Sequence, residues 1–155
     1  MIIDFFFDTV CPWCFIGKRR LDQVLAKRDK MNISINWCSL LLNPDLPPQG
    51  VKQEGYLSHQ NGMESDFYRA YHNVNDVGLS VDINFNFNTI RNIPNSMDTH
   101  RLIHFSSIEG KAEIALETLF TSYFIEGKNI GDTNELIAIA KNIGISLLLI
   151  ISIFI

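Results

Sequence analysis

The pattern of apolar and polar positions divides the chain into a strand–helix–strand opening and a longer helical segment. Residues 2–7 form an apolar run, which is typical of a strand buried on both faces. Pro12 suits the first position of a helix, and Leu21 and Leu25 recur at helical spacing. Residues 33–40 then alternate between apolar and polar side chains, as a half-buried strand does. The opening therefore predicts a βαβ unit.

Beyond this unit the pattern becomes helical. Residues 43–50, NPDLPPQG, hold three of the five prolines and end in glycine, which predicts a boundary loop. Residues 81–90 alternate as a short strand or an extended link. Four helical segments surround that link, and each is predicted to end at a glycine: Gly78, Gly110, Gly127 and Gly144.

The chain ends in the apolar stretch ISLLLIISIFI, residues 145–155, which carries no charge. The stretch is shorter than the ~20 residues that cross a bilayer as a helix. We therefore favour a core strand over a membrane anchor, and a tail that is not native coding sequence is the third interpretation.

Composition and charge narrow the function classes. A chain of 155 residues with 46% hydrophobic and 19% charged residues is typical of one globular domain. The net charge of -4 supplies no basic surface for nucleic acid. Three cysteines are too few for a secreted disulfide scaffold. Asp4 and Asp8 interrupt the N-terminal apolar run, which does not match a secretory signal, so we predict a cytoplasmic protein.

The strongest chemical signal is the motif CPWC. Because Cys11 directly precedes Pro12 at the predicted helix start, free N–H groups and the helix dipole would stabilise its thiolate. The thiolate is the attacking species in disulfide exchange. Cys14 lies one turn further into the helix, where we expect it to be more shielded and to resolve a mixed disulfide. Trp13 offers an apolar surface beside the reactive sulfur.

Two other interpretations of CPWC stay open at this point, a zinc site and a pair of inert thiols. A structural zinc site needs four ligands. The remaining candidates are Cys38 and the four histidines, His59, His72, His100 and His104. A CxxC that opens a helix after a buried strand is typical of a redox motif, so we predict no metal.

The wider pattern FFFDTVCPWCFIGKRRL resembles the DsbA-like thioredoxin superfamily. More narrowly, it resembles the cytoplasmic FrnE-like disulfide oxidoreductases that are related to 2-hydroxychromene-2-carboxylate isomerases. The stretches LLNPDLPPQG, IPNSMDTHRLIHF and ALETLFTSYFIEGKNIGD resemble later segments of that family, and the resemblance covers about residues 2–144.

This resemblance implies an α/β fold, in which a thioredoxin-like βαβ unit is followed by a large inserted all-helical domain. Residues 1–45 would form the N-terminal half of the thioredoxin-like domain, residues 46–144 the helical insertion, and residues 145–155 an apolar tail of uncertain origin. The C-terminal half of the thioredoxin fold, with its cis-proline loop, is expected to be missing from the chain.

The resemblance also implies a thiol–disulfide oxidoreductase with Cys11 as nucleophile, Cys14 as resolving cysteine, and Pro12 and Trp13 as neighbours. Isomerase and kappa-class glutathione transferase relatives carry serine at the nucleophile position, so a glutathione-dependent isomerase is the alternative. An inactive remnant that acts only as a helical interaction domain is a further alternative. Expected partners are protein or small-molecule thiols and disulfides, with a homodimer as candidate assembly and neither nucleic acid nor a membrane. No bound cofactor is expected, and glutathione is a candidate co-substrate.

Polar residues of the second helical segment allow two interpretations. Asn95, His100 and Arg101 form a candidate cleft above CPWC, in which His100 or Arg101 steadies a thiolate or a substrate carboxylate. Alternatively, they belong to a capped helix with a hydrogen-bonded histidine and a surface arginine, which is the interpretation we favour. Lys18 and Arg19 are interpreted as a solvated face of the first helix.

Overall fold

The computed structural model describes residues 1–27, 32–53 and 64–154, and it opens with the predicted βαβ unit. Strand β1 (Ile2–Phe7) leads to helix α1 (Pro12–Ala26) and strand β2 (Ser34–Ser39). The two strands pair in parallel, with Ile2 opposite Ser34 and Phe7 opposite Ser39. This pairing confirms the βαβ unit.

The expectation that β1 is buried on both faces is wrong. Phe7 is fully buried, whereas Ile2 is 71% and Phe6 63% exposed. Phe5 and Phe7 pack against Trp37 of β2, with ring centroids 5.5 and 6.4 Å apart. Successive strand residues point to opposite faces, and the core of the described residues covers only the face that carries Phe5 and Phe7.

Among the described residues, the helical segment contains four helices before the tail. They are α2 (Glu64–Leu79), α3 (Met97–Ile108), α4 (Ala112–Phe124) and α5 (Thr133–Asn142). The predicted terminators of α3, α4 and α5 adopt the left-handed backbone that glycine tolerates best, with φ of 68°, 69° and 74° at Gly110, Gly127 and Gly144. A short antiparallel pair that the sequence did not predict joins β3 (Val51–Lys52) to β4 (Asn92–Ile93).

Residues 81–90 form the predicted extended link, and the alternative of a strand is wrong. The link ends in a 3₁₀ turn at Phe87–Thr89. Val81, Ile83 and Phe85 are buried at alternate positions. A Cβ atom at Gly78 would lie 2.5 Å from the Phe85 ring, so this packing requires glycine there, and α2 continues one residue past it.

The apolar tail forms a helix, α6 (Leu147–Phe154), so the prediction of a core strand is wrong. Helix α6 packs against α3 and α5, burying Ile150 and Ile153 and leaving Leu147 and Leu148 exposed. A spacing of three residues between buried positions fits a helix face, whereas a strand would bury alternate residues. Within the described ranges, no helix is both long and apolar enough to cross a membrane.

The βαβ unit and the helices share one hydrophobic core. Helix α4 lies at its centre, where Leu116, Leu119 and Phe120 are fully buried. Phe15 of α1 stacks on Phe120 with ring centroids 4.9 Å apart. The division at residues 45 and 144 stays a prediction, because a shared core does not mark a boundary between domains.

Lys18 joins α1 to α4 from within this core. Its side chain is only 3% exposed, and its ammonium lies 2.7 Å from Asp22 and 3.1 Å from Glu117. Burial opposes the charge, but the hydrogen bond to Asp22 and the charge of Glu117 raise the pKa of Lys18 above its usual 10.5. The expected solvated face is therefore wrong for Lys18, because the acidic groups of α1 and α4 compensate its burial. Arg19 lies beside it, 2.6 Å from Glu117.

Candidate active site

Cys11 occupies the N-cap of helix α1. Its backbone is extended, with φ of -97° and ψ of 107°, and Pro12 takes the first helical position. The Cys11 Sγ accepts the backbone N–H of Cys14 at 3.3 Å. A sulfur at this point faces the positive end of the helix dipole, so the local geometry favours a thiolate.

The pKa values of the two cysteines of CPWC are shifted in opposite directions. The hydrogen bond from the Cys14 thiol has the largest effect on Cys11, and it favours the thiolate. Burial opposes ionisation, but the backbone N–H groups of Cys14 and Trp13 favour it as well. Together these contacts lower the pKa of Cys11 from 9.0 to about 7. The same hydrogen bond to Cys11, together with burial, strongly raises the pKa of the Cys14 thiol. At neutral pH, therefore, Cys11 is about half ionised, whereas Cys14 stays protonated.

The two cysteines differ little in solvent exposure, although the sequence predicts that Cys14 is more shielded. Cys11 and Cys14 are both half-buried, although Cys14 packs against the hydrophobic core. Trp13 is 52% exposed, as a residue that borders an accessible sulfur can be. The asymmetry of the pair arises from hydrogen bonding more than from burial.

Asp8, which lies between β1 and CPWC, is a buried centre of hydrogen bonding. Its side chain is 1% exposed. One carboxylate oxygen accepts the Leu42 N–H at 2.7 Å, and the other accepts His100 Nε2 at 3.3 Å and the Val10 N–H at 3.4 Å. Burial opposes the charge, but the hydrogen bonds from His100, Leu42 and Ser96 hold the pKa of Asp8 below its usual 3.8. Asp8 is therefore a carboxylate at neutral pH.

A second buried contact joins the same two segments. The hydroxyl oxygens of Thr9 and Thr99 lie 2.7 Å apart, and both residues are fully buried. The Thr99 hydroxyl also lies 2.6 Å from the Ser96 carbonyl oxygen. The turn that precedes Cys11 is thus fixed to α3 by one charged and one uncharged contact.

The three residues of the candidate cleft have different partners. His100 is buried and pairs with Asp8. Asn95 donates to the Leu46 carbonyl oxygen at 2.6 Å and so ties α3 to the preceding loop. Arg101 is half-exposed and lies 3.1 Å from Asp98. Each has the partners of a structural residue, and a role in a cleft above CPWC stays a prediction.

The zinc ligands considered from sequence are dispersed. His100 is buried beside Asp8, whereas His72 and His104 are exposed. His59 lies outside the described residues. In the described part of the chain, no three His, Cys, Asp or Glu side chains converge on a point where a metal ion could bind.

Sequence reasoning missed three buried polar residues of the site, Asp8, Thr9 and Thr99. A signal for Asp8 existed, because a carboxylate directly after a buried strand and three residues before a cysteine needs buried partners. Its partners come from residues about 30 and 90 positions away, which no local pattern identifies.

A parallel βαβ unit that carries CPWC at the start of its helix, with further helices packed on it, defines a thioredoxin-like protein. The model of the DSBA-like thioredoxin domain matches residues 2–149, and the chain belongs to that family. The match extends beyond Gly144, where the resemblance was expected to stop, into the first part of helix α6.

One curated relative and three solved structures illustrate what this chain is similar to. The uncharacterized protein YwbO of Bacillus subtilis (strain 168) is 25% identical over 138 residues, which are 89% of this chain and 64% of YwbO. The chain therefore spans less than two thirds of that relative. The crystal structure of the probable DsbA oxidoreductase SCO1869 from Streptomyces coelicolor is similar at a TM-score of 0.84 and 21% identity, covering 99% of this chain and 67% of SCO1869.

Two more distant structures share the fold. The cytosolic disulfide reductase DsbM from Pseudomonas aeruginosa, solved with GSH, has a TM-score of 0.63 and 14% identity, covering 99% of this chain and 70% of DsbM. A 2-hydroxychromene-2-carboxylate isomerase has a TM-score of 0.66 and 14% identity, covering 99% of this chain and 71% of the isomerase. At these identities the likeness concerns the fold alone.

Proposed function

We propose that the protein is a thiol–disulfide oxidoreductase in which Cys11 is the nucleophile and Cys14 the resolving cysteine. The observation that carries this proposal is the position of Cys11 Sγ at the N-cap of α1, where it accepts the Cys14 N–H at 3.3 Å. Such a position stabilises the thiolate that attacks a disulfide. Membership of the DSBA-like thioredoxin domain family supports the same chemistry.

The reaction in the reducing direction has two exchange steps. The Cys11 thiolate attacks one sulfur of a substrate R–S–S–R′, forms the mixed disulfide Cys11–S–S–R, and releases R′–S⁻, which takes up a proton. Cys14 then loses its proton to solvent and attacks Cys11 Sγ, which breaks the mixed disulfide and releases R–S⁻. The substrate gains two electrons, and the two cysteines lose them as they form a disulfide. The reverse sequence oxidises a substrate dithiol.

The acidities assign the two roles. Because the pKa of Cys11 is about 7, roughly half of its thiol is ionised at neutral pH. Cys14, whose pKa is raised, stays protonated until Cys11 is bound in a mixed disulfide. Ionisation of Cys14 then becomes easier, because the negative sulfur beside it has gone.

Substrates of this reaction are protein or small-molecule disulfides and thiols, and glutathione is a candidate co-substrate. DsbM, which shares the fold, was solved with GSH and is described as cytosolic. We infer a cytoplasmic compartment for this chain, in which the three free cysteines would stay reduced.

A glutathione-dependent isomerase is the second candidate, because a 2-hydroxychromene-2-carboxylate isomerase has the same fold at a TM-score of 0.66. It would bind glutathione and turn over a chromene carboxylate even after substitution of Cys11 by serine. The oxidoreductase is favoured because a cysteine stands at position 11, whereas the resemblance to the isomerases implies a serine at that position.

The first experiment measures the alkylation rate of Cys11 against pH in Cys14→Ser/Cys38→Ser protein. Serine keeps a hydroxyl that can donate to Cys11, so the midpoint should lie near the value of about 7. Cys11→Ser/Cys14→Ser, which retains only Cys38, provides the matched thiol control in the same chain. A Cys11 midpoint near the ordinary ~8.5 would contradict the proposal and favour an inactive remnant.

Turnover provides the second readout. Reduction of a disulfide-containing peptide, driven by glutathione, should be lost in Cys11→Ser. When Cys14→Ser is mixed with the peptide without glutathione, it should instead accumulate a mixed disulfide at Cys11 that mass spectrometry detects, because the resolving cysteine has been removed and no other reducing thiol is supplied. Equal turnover by the wild-type chain and Cys11→Ser would remove the oxidoreductase proposal, and chromene carboxylate turnover by that variant would support the isomerase.

A further inference from the structure

Helix α3 contacts the turn between β1 and CPWC through His100 and Asp8. This contact is unusual because it includes a buried charge. His100 Nε2 lies 3.3 Å from Asp8 Oδ1, and both side chains are at least 95% buried, with 5% and 1% exposed. Since the Asp8 carboxylate can only accept, the His100 ring donates at this nitrogen. The contact spans 92 positions of sequence and joins the βαβ unit to the helical segment.

The buried carboxylate lies close enough to the cysteines to act on them. The Asp8 carbonyl oxygen accepts the Cys11 N–H at 3.0 Å, so the residue fixes the backbone of the N-cap. Its negative charge opposes ionisation and raises the pKa of both Cys11 and Cys14, although other contacts dominate at Cys11. Asp8 thus limits how far the helix cap can acidify the nucleophile.

The groups that face Asp8 come from three places. The βαβ unit supplies the Val10 N–H and the two cysteines, and the segment after β2 supplies the Leu42 N–H. Helix α3 supplies His100, and the residue at its N-cap supplies the Ser96 side chain. Of these groups, only the imidazole is able to take up a positive charge, and a positive charge there lowers the pKa of Asp8. His100 is therefore the group, among those that face Asp8, whose charge would oppose the field of the carboxylate at the sulfurs.

We propose that Asp8 and His100 are a positioning pair for the Cys11–Cys14 centre, through which helix α3 sets the negative charge beneath the two sulfurs. This inference rests on the proposed function and adds to it a control of reactivity. Neither residue touches the substrate. Asp8 acts on Cys11 through its charge and the N-cap backbone, and His100 acts through Asp8.

The test measures the Cys11 alkylation midpoint in the Cys14→Ser/Cys38→Ser chain after Asp8→Asn. Asparagine keeps the size of the side chain and removes its charge. We expect the midpoint to fall by about 0.5 to 1 pH unit, since a neighbouring like charge shifts a pKa by that order or more. The reduction potential of the Cys11–Cys14 pair, measured in Asp8→Asn with both cysteines present, should become less negative, by up to about 30 mV for a tenfold change.

Thr99→Val is the matched control. It removes the uncharged contact between the same two segments, because valine cannot bond to the Thr9 hydroxyl 2.7 Å away. A purely structural role of this junction predicts that Thr99→Val and Asp8→Asn move the midpoint alike. The proposal predicts that only Asp8→Asn lowers it.

His100→Gln completes a double-mutant cycle. Glutamine can still donate to Asp8 but cannot carry charge, so the Cys11 midpoint should rise. In the Asp8→Asn background, the same substitution should leave the midpoint unchanged, because no carboxylate remains to be offset. Equal shifts in both backgrounds would show that His100 does not act through Asp8 and would overturn the proposal. If Asp8→Asn does not fold, the sign of the shift in His100→Gln decides the question.

The outcomes separate this inference from the proposed function. A wild-type midpoint near ~8.5 contradicts the oxidoreductase whether or not the variants move it. A wild-type midpoint near about 7 that stays fixed in Asp8→Asn and His100→Gln supports the oxidoreductase and overturns the positioning pair.

Discussion

The sheet and the central helix of this protein bury their residues very differently. In helix α4, Leu116, Leu119 and Phe120 are fully buried. In strand β1, Phe7 is fully buried, but its neighbour Phe6 is 63% exposed. The candidate cysteines nevertheless belong to the sheet side of the molecule, directly after β1. The candidate site and the most completely buried residues therefore lie in different parts of a structure that has one hydrophobic core.

This difference shows why the junction between the two parts matters. A nucleophile at a helix N-cap needs a rigid backbone beneath it, and a two-stranded sheet alone supplies little rigidity. The support comes from α3 through Thr99 and His100, and from α4 through the carboxylate of Glu117 that meets Lys18. The helical segment thus holds the turn before Cys11 in place, although the cysteines of CPWC lie outside that segment.

Removal of Phe120 should have the largest effect on this arrangement. Phe120→Ala should cost about 4 kcal/mol of unfolding free energy, because it leaves a cavity beneath the stacked ring of Phe15. Urea unfolding measures the loss, and Ile114→Ala, at a half-exposed position of the same helix, is the control that should change little. If Phe120→Ala melted the helices and left the Cys11 midpoint in place, the two parts would not share a cooperative core.

The two faces of β1 give the next prediction. Phe7→Ala should cost about 3 kcal/mol, since the ring packs against Trp37 and His100. Phe6→Ala removes the same group from the exposed face and should change stability by less than about 0.5 kcal/mol. Thermal unfolding of both variants measures the contrast. Equal losses would mean that the outer face of the sheet is covered in solution.

Much of this fold follows from local signals. The alternation in β2, the proline at the start of α1 and the glycines after α3, α4 and α5 each act within a few residues, so the sequence predicts them. The secondary structure of the tail could not be predicted, because an unbroken apolar run has no period that separates a strand from a buried helix. The exposure of one face of β1 could not be predicted for a similar reason, since an apolar strand does not reveal which of its faces is covered.

The candidate site likewise has features that local signals predict and features that they do not. Cys11 at a helix N-cap could be predicted from Cys-Pro alone, because capping depends on adjacent residues. The burial of Lys18 could not, because its acidic partner Glu117 lies 99 positions away on another helix. The pairing of His100 with Asp8 depends equally on how α3 packs against the turn before Cys11. Long-range polar contacts therefore carry the part of the site that a single sequence conceals.

Lys18 allows a smaller test of how the parts are joined. Lys18→Met leaves Asp22 and Glu117 without their buried cation, and we expect a loss of about 1 to 2 kcal/mol because both acids are partly solvated. Lys128→Met is the matched control, because it breaks an exposed ion pair with Glu126 of similar length, 2.9 Å, and should cost less than about 0.5 kcal/mol.

The pH dependence of stability provides a check on the same residue. The folded state raises the pKa of Lys18 above 10.5, so its contribution is complete below pH 10.5 and declines as the pH rises through the higher folded value. The wild-type chain should lose stability in that alkaline range more steeply than Lys18→Met. Parallel curves would contradict a buried cation at this junction.

Asp8 should show the smallest effect on stability and the opposite pH dependence. Because the folded state lowers its pKa below 3.8, Asp8 stabilises the fold above that pH, and the contribution is lost as the pH falls through the lower folded value. Asp8→Asn should cost about 1 kcal/mol at neutral pH and flatten this acid limb in urea unfolding. Asp98→Asn, which alters the exposed pair with Arg101, is the control that should keep the limb. A limb that persists in Asp8→Asn would place the acid sensitivity in other carboxylates, and Asp8 would then matter for the reactivity of Cys11 alone.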